Sequence, residues 1–135
     1  MDNLAQLWHR QMQSKIAEYR AKFRLAPIGE WSRLQGSFEV MMGEVWQFNS
    51  EYTGIIRYYS VLQGEEEILF EWKEKSERTI LIKTIDSQDT SDADEWETVE
   101  YDFKLVQHDE GTEVGMVQVG SEHFWLCLYP LRFIG

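Results

Sequence analysis

Histidines, cysteine and clustered carboxylates are the side chains best suited to hold a metal or move a proton, and here they are spaced for neither. The three histidines are His9, His108 and His123. No two stand four residues apart and none neighbours Cys127, so no zinc-ligand spacing is present. His123 alternates with Phe124 and is expected to face outward as a surface histidine. Cys127 lies between Leu126 and Leu128 with no adjacent base, which predicts a structural thiol and not a nucleophile. Asp86, Asp89, Asp92, Asp94 and Glu95 invite a calcium reading. Their steps of three, three, two and one lack the turn glycine and terminal bidentate glutamate of a calcium loop, so a solvated loop is expected. No pair stands out for acid–base work among twenty-four carboxylates, and no nucleophile elbow, phosphate loop or dinucleotide fingerprint occurs. No catalytic residue, metal or cofactor is assigned, and an enzyme is not expected.

The elements that would position any site follow from composition and period. The 135 residues suit one domain, and a 43% hydrophobic, 14% aromatic chain can build a core despite a net charge of −11. No apolar run reaches the roughly 18 residues of a membrane span. The opening MDNLAQLWHRQ has no signal-peptide pattern, and a single cysteine suits a reducing compartment, so a cytoplasmic location is expected. Residues 1–35 carry a balance of +3 and residues 36–135 one of −14. So acidic a body repels phosphate backbones, and nucleic acid is not an expected partner.

Leu4, Trp8, Met12, Ile16, Tyr19 and Phe23 recur on one face of a 3.6-residue period, which predicts an amphipathic helix over 2–24. Asp2 or Asn3 can cap it, and Pro27 and Gly29 end the segment. Its positive charge opposes that of the body, so the helix is expected to dock on its own domain. From about residue 36 the period becomes two, as in Glu67, Glu71 and Lys73 against Ile68, Phe70 and Trp72. Strands are expected near 38–48, 53–61, 66–74, 78–85, 95–107, 112–119 and 122–133, the first interrupted at Gly43. Short turn-like links and the absence of a crossover helix predict consecutive antiparallel hairpins. A meander of seven or eight strands removes its edges by closing into an up-and-down barrel. The domain is thus read as 1–135, with helix and linker over 1–28 and a barrel over 29–135.

Several short motifs lie along this pattern: Gly29-Glu30-Trp31 before the first expected strand, Trp46-Gln47-Phe48-Asn49, Thr53-Gly54, Phe70-Glu71-Trp72, and Arg132 in the last strand. In order and spacing they resemble the calycins, in particular small bacterial lipocalin-like domains. The resemblance implies a calycin-like barrel binding a small apolar ligand, with Arg132 across Trp31 at the closed end. Trp46 competes with Trp31 for that closing role, and either indole under a guanidinium would gain about 0.5–2 kcal/mol. The chain lacks the Arg-x-Tyr ending of fatty-acid-binding proteins, so their carboxylate clamp is not carried over.

The inward face of the expected barrel supplies Tyr58, Phe70, Trp72, Tyr101, Phe103 and Phe124 as a ligand lining, with Tyr58 and Tyr101 as polar handles. The expected ligand is flat or aliphatic and mostly uncharged. The rival expectation is an interaction or assembly module with a filled barrel, acting through the helix or the acidic face. Surplus apolar residues on the outer face also allow self-association into a homo-oligomer. Interior volume separates the two: a cavity above about 300 Å³ favours a ligand, and a filled core favours the module.

Overall fold

A computed structural model describes residues 3–34, 42–62, 64–85, 96–108, 111–127 and 129–135. One helix, α1 (Leu4–Lys22), precedes eight strands: β1 (Gly29–Arg33), β2 (Met42–Phe48), β3 (Thr53–Ser60), β4 (Gly64–Ser76), β5 (Thr79–Thr84), β6 (Glu97–His108), β7 (Gly111–Gln118) and β8 (Leu131–Phe133). Each strand pairs antiparallel with the next, and β8 returns to β1, closing the barrel. No helix among the described residues is long and apolar enough to cross a membrane.

Period two places the core. Trp31, Trp46, Ile56, Phe70, Trp72, Ile82, Val99, Tyr101, Phe103, Val114 and Met116 all point inward and are buried. Packing leaves almost no slack: a Cβ on Gly54 would stand 2.0 Å from the Phe70 ring, so the β3–β4 crossing needs glycine there. The expected break at Gly43 does not occur. Gly43 sits within β2 paired with Tyr59, whose ring fills the space a side chain would take. The start of that expected strand, residues 38–41, lies outside the described residues, as does the acidic stretch 86–95.

Two strand assignments are corrected. Gly29–Arg33 does not merely precede the first strand; it is the first strand, pairing with both β2 and β8. The run 122–133 is not one strand. Phe124 and Cys127 form an isolated bridge around a tight turn in which Trp125 takes φ 43°, and regular pairing resumes only at Leu131–Phe133. The turn breaks the alternation, so Phe124 and Cys127 are both buried while Leu126, expected inside, is exposed. Leu128 lies outside the described residues.

The helix begins with Asn3, whose side chain accepts from the Gln6 amide at 2.8 Å while the Gln6 side chain accepts from the Asn3 amide. Only its second half docks, against β6 and β7. Ile16, Tyr19 and Phe23 meet the barrel, whereas Leu4 is 85% and Trp8 42% exposed. The docked end is held by directional bonds as well as rings. The Tyr101 hydroxyl donates to the Phe23 carbonyl at 2.7 Å, the Trp31 indole N–H donates to the Pro27 carbonyl at 2.9 Å, and the Arg78 amide donates to the Arg24 carbonyl at 2.6 Å. Arg20 forms a two-bond pair with Asp102 at 2.8 and 3.2 Å, joining the basic segment to the acidic body. Burial alone would raise the Asp102 carboxyl, but the Arg20 hydrogen bond, the Phe103 amide and the charges of Arg20 and Arg78 outweigh it and hold it below the ordinary range.

Candidate functional site

The barrel axis is filled by aromatic rings in two groups. At the end covered by α1, Phe23 lies 4.9 Å from Trp31, 5.0 Å from Phe133 and 5.8 Å from Phe103, centroid to centroid. Further along, Phe48 meets Phe70 at 5.1 Å and both Trp72 and Phe124 at 6.2 Å, and Trp46 meets Phe124 edge-on at 5.6 Å. Five of the six residues expected to line a ligand space, namely Phe70, Trp72, Tyr101, Phe103 and Phe124, are therefore packed core. Trp72 donates its indole N–H to the Thr53 carbonyl, and the Tyr101 hydroxyl is committed to Phe23. The sixth, Tyr58, stands elsewhere.

Trp31 is fully buried and packs beneath α1 against Phe23, Phe103 and Phe133. Arg132 does not lie across it. Trp31 pairs with Phe133 in register, so Phe133 takes the inward place and Arg132 turns to the outer face. There its guanidinium meets Glu113 at 3.3 Å and the Ser32 hydroxyl at 3.4 Å. Trp46 is central core and not a plug. His123 is half-buried, contrary to a plain surface position, and its Nδ1 has no hydrogen-bond partner among the described residues.

The opposite end of the barrel is polar. In the register of β1 to β4, Arg33, Glu44, Tyr58 and Glu66 occupy neighbouring inward positions, one layer beyond Trp31, Trp46 and Ile56. Glu44 is only 4% exposed. Its carboxylate lies 3.7 Å from Arg33 Nη1 and accepts from the Cys127 thiol at 3.3 Å, and Tyr58 stands opposite it in register on β3. The Arg33 guanidinium stacks over the Tyr129 ring at 4.9 Å, and its Nε is buried without a hydrogen-bond partner among the described residues. Burial and the Glu44 charge push the Tyr58 hydroxyl up to about 12. Burial, and then Glu44, push the Cys127 thiol well above its ordinary value, so at neutral pH both groups are protonated and the thiol donates to Glu44. That state suits neither a nucleophile nor a general base.

A cleft of about 280 Å³ opens on this polar layer, lined by Arg33, Gly43, Tyr58, Tyr59, Ser60, Gly64, Glu66 and Ile68. No family model, curated protein or solved structure matches this chain. The cleft's chemistry therefore rests on its own residues. Among the described residues, no group of three or more histidine, cysteine or acidic side chains is placed to hold a metal.

Sequence reasoning missed both partners of the buried ion pair. Glu44 shares the parity of Trp46 and Phe48 in β2, a signal that was available. Arg33 shares the parity of Trp31, a signal lost once Gly29–Trp31 is placed outside the sheet.

Proposed function

We propose that this chain is a non-enzymatic, lipocalin-like binding protein of the cytoplasm that takes a small ligand at the barrel mouth and not along the axis. One observation carries the reading: a buried Arg33–Glu44 pair underlies an open cleft lined by Tyr58, Tyr59 and Ile68. A buried ion pair is a poor stabilising device, since removing two charges from water offsets most of their attraction. Retaining one beside a cleft is reasonable where it orients a bound molecule. By interior volume the filled axis favours the module, so the ligand reading rests on the mouth cleft alone; at about 280 Å³ it falls just below the usual range of small-molecule sites, which suits one or two fused rings and not a long acyl chain or a tetrapyrrole.

The test is a titration followed by amide chemical shifts. A small aromatic compound is expected to give saturable shifts at Gly43, Ser60 and Gly64, and Ser60→Trp, which fills the cleft from its rim, to abolish them. Shifts spread over Phe70, Trp72 and Phe103, or none with any small aromatic, would remove this reading.

A second reading, an interaction or assembly module, is favoured by α1. Its first turns leave Leu4, Leu7 and Trp8 exposed on a helix of net positive charge, while the β3–β4 hairpin carries exposed Val61 and Leu62 beside Glu65, Glu66 and Glu67. Sedimentation equilibrium tests it: a concentration-dependent dimer that Trp8→Glu dissociates supports the module, and a monomer at all concentrations removes self-association.

A further inference from the structure

Resting on the second reading, the assembly module, we infer that this chain associates with a second copy of itself head to tail, the undocked half of α1 in one copy lying on the β3–β4 hairpin of the next.

Each of the two surfaces lacks cover of its own. Every residue over 4–11 is exposed, yet the segment is helical and capped by Asn3. Two turns of helix with no packed face are marginal in water, so their order calls for a neighbour. Leu4, Leu7 and Trp8 carry apolar surface there, with Leu4 85% exposed. The hairpin tip is as bare, since Val61 is 68% and Leu62 88% exposed. Within one chain neither patch covers the other, because α1 packs against β6 and β7 and no other described strand.

Charge selects the pairing. Residues 4–15 include Arg10 and Lys15 and no acidic residue. The positive end of the helix dipole lies in the first turn, where no carboxylate opposes it. Beside Val61 and Leu62 stand Glu65, Glu66 and Glu67, all exposed. Glu67 pairs with Arg57 at 3.6 Å, whereas Glu65 and Glu66 pair with no cation among the described residues. At −11, two copies repel each other over most of their surfaces, and two hairpins brought together would repel likewise. Two undocked helix halves would set cation against cation. Helix on hairpin buries both apolar patches with opposite charges around them. Each copy offers one surface of each kind. Two such contacts about a two-fold axis close a dimer, and the same contact repeated without closure makes a chain.

The test is sedimentation equilibrium of the full chain and of two variants, Trp8→Glu and Leu62→Glu, alone and mixed. Both side chains are exposed, so both variants should fold and melt as the wild type does. Each alone should associate roughly tenfold or more weakly than wild type. Mixed in equal amounts they should recover association, because the Trp8→Glu chain keeps an intact hairpin and the Leu62→Glu chain an intact helix. Glu65→Lys lowers the net negative charge yet should weaken association several-fold, since it sets a cation before Arg10 and Lys15. In a wild type that associates, unweakened single variants, no recovery in the mixture, or tighter association of Glu65→Lys would overturn the inference and leave assembly to another surface. A wild-type monomer at all concentrations would remove the assembly reading and the inference with it.

Discussion

Replacing Phe23 by Ala tests how α1 is coupled to the barrel. Phe23 is 2% exposed and its ring touches Tyr19, Trp31, Phe103 and Phe133 at centroid distances of 5.6, 4.9, 5.8 and 5.0 Å. It sits at the C-cap of the helix, where its backbone carbonyl also receives the Tyr101 hydroxyl. Truncation leaves a cavity walled by barrel side chains that cannot follow it inward, so the cost should reach the usual range for a buried phenylalanine, about 3–5 kcal/mol. In a domain of this size each kcal/mol moves the melting temperature by roughly 3–4 °C, which gives a fall of about 10–20 °C. Trp8→Ala is the control. Its ring is larger but 42% exposed on the undocked half of the helix, so its cost should stay within about 0.5 kcal/mol. Thermal melts followed by near-ultraviolet circular dichroism report the aromatic packing directly. Loss of less than about 4 °C in Phe23→Ala, or an equal loss in Trp8→Ala, would refute the view that only the second half of α1 belongs to the fold.

Three further outcomes follow from the same geometry. Tyr101→Phe removes the donor at 2.7 Å and leaves the buried Phe23 carbonyl unpaired, which should cost about 1–3 kcal/mol by urea denaturation. Because the Asp102 carboxyl is held below its ordinary value, its contribution is present above the ordinary carboxylate range and is lost as pH falls through the folded value. Wild type should therefore exceed Asp102→Asn in unfolding free energy at neutral pH by about 1 kcal/mol or less, since the Arg20 pair is partly exposed, and the gap should close as pH falls below the ordinary carboxylate range. Cys127 is buried with its thiol held protonated, so it should resist alkylation in the native protein at pH 8 and react fully in urea; rapid native labelling would show the Glu44 layer to be open.

Period and turn chemistry made an antiparallel barrel of seven or eight strands and a docking helix legible in the sequence, but not the first strand, Gly29–Arg33, nor the break in the last. Alternation placed Phe70, Trp72, Tyr101 and Phe103 inward, and all four are buried. Alternation says which face a residue occupies, not whether facing rings meet, so a filled axis could be read equally well as a ligand lining. It also failed at Phe124–Cys127, where a tight turn reverses parity and no glycine or proline marks the position. A helical stripe from Leu4 to Phe23 fixes a face but not how far the barrel extends beneath it, which is why the exposure of Leu4 and Trp8 was not foreseen. Arg33 and Glu44 come together only through the register of β1 and β2, a pairing that neither residue's local sequence carries.

The most direct test of the mouth cleft as the ligand site is a crystal structure of the chain soaked with a small aromatic compound such as naphthamide. Density for the ring system is expected between Tyr58, Tyr59 and Ile68, with Phe70, Trp72, Phe103 and Phe124 in place. Density along the axis among displaced Phe70 and Trp72 rings, or an empty cleft at saturating compound, would contradict it.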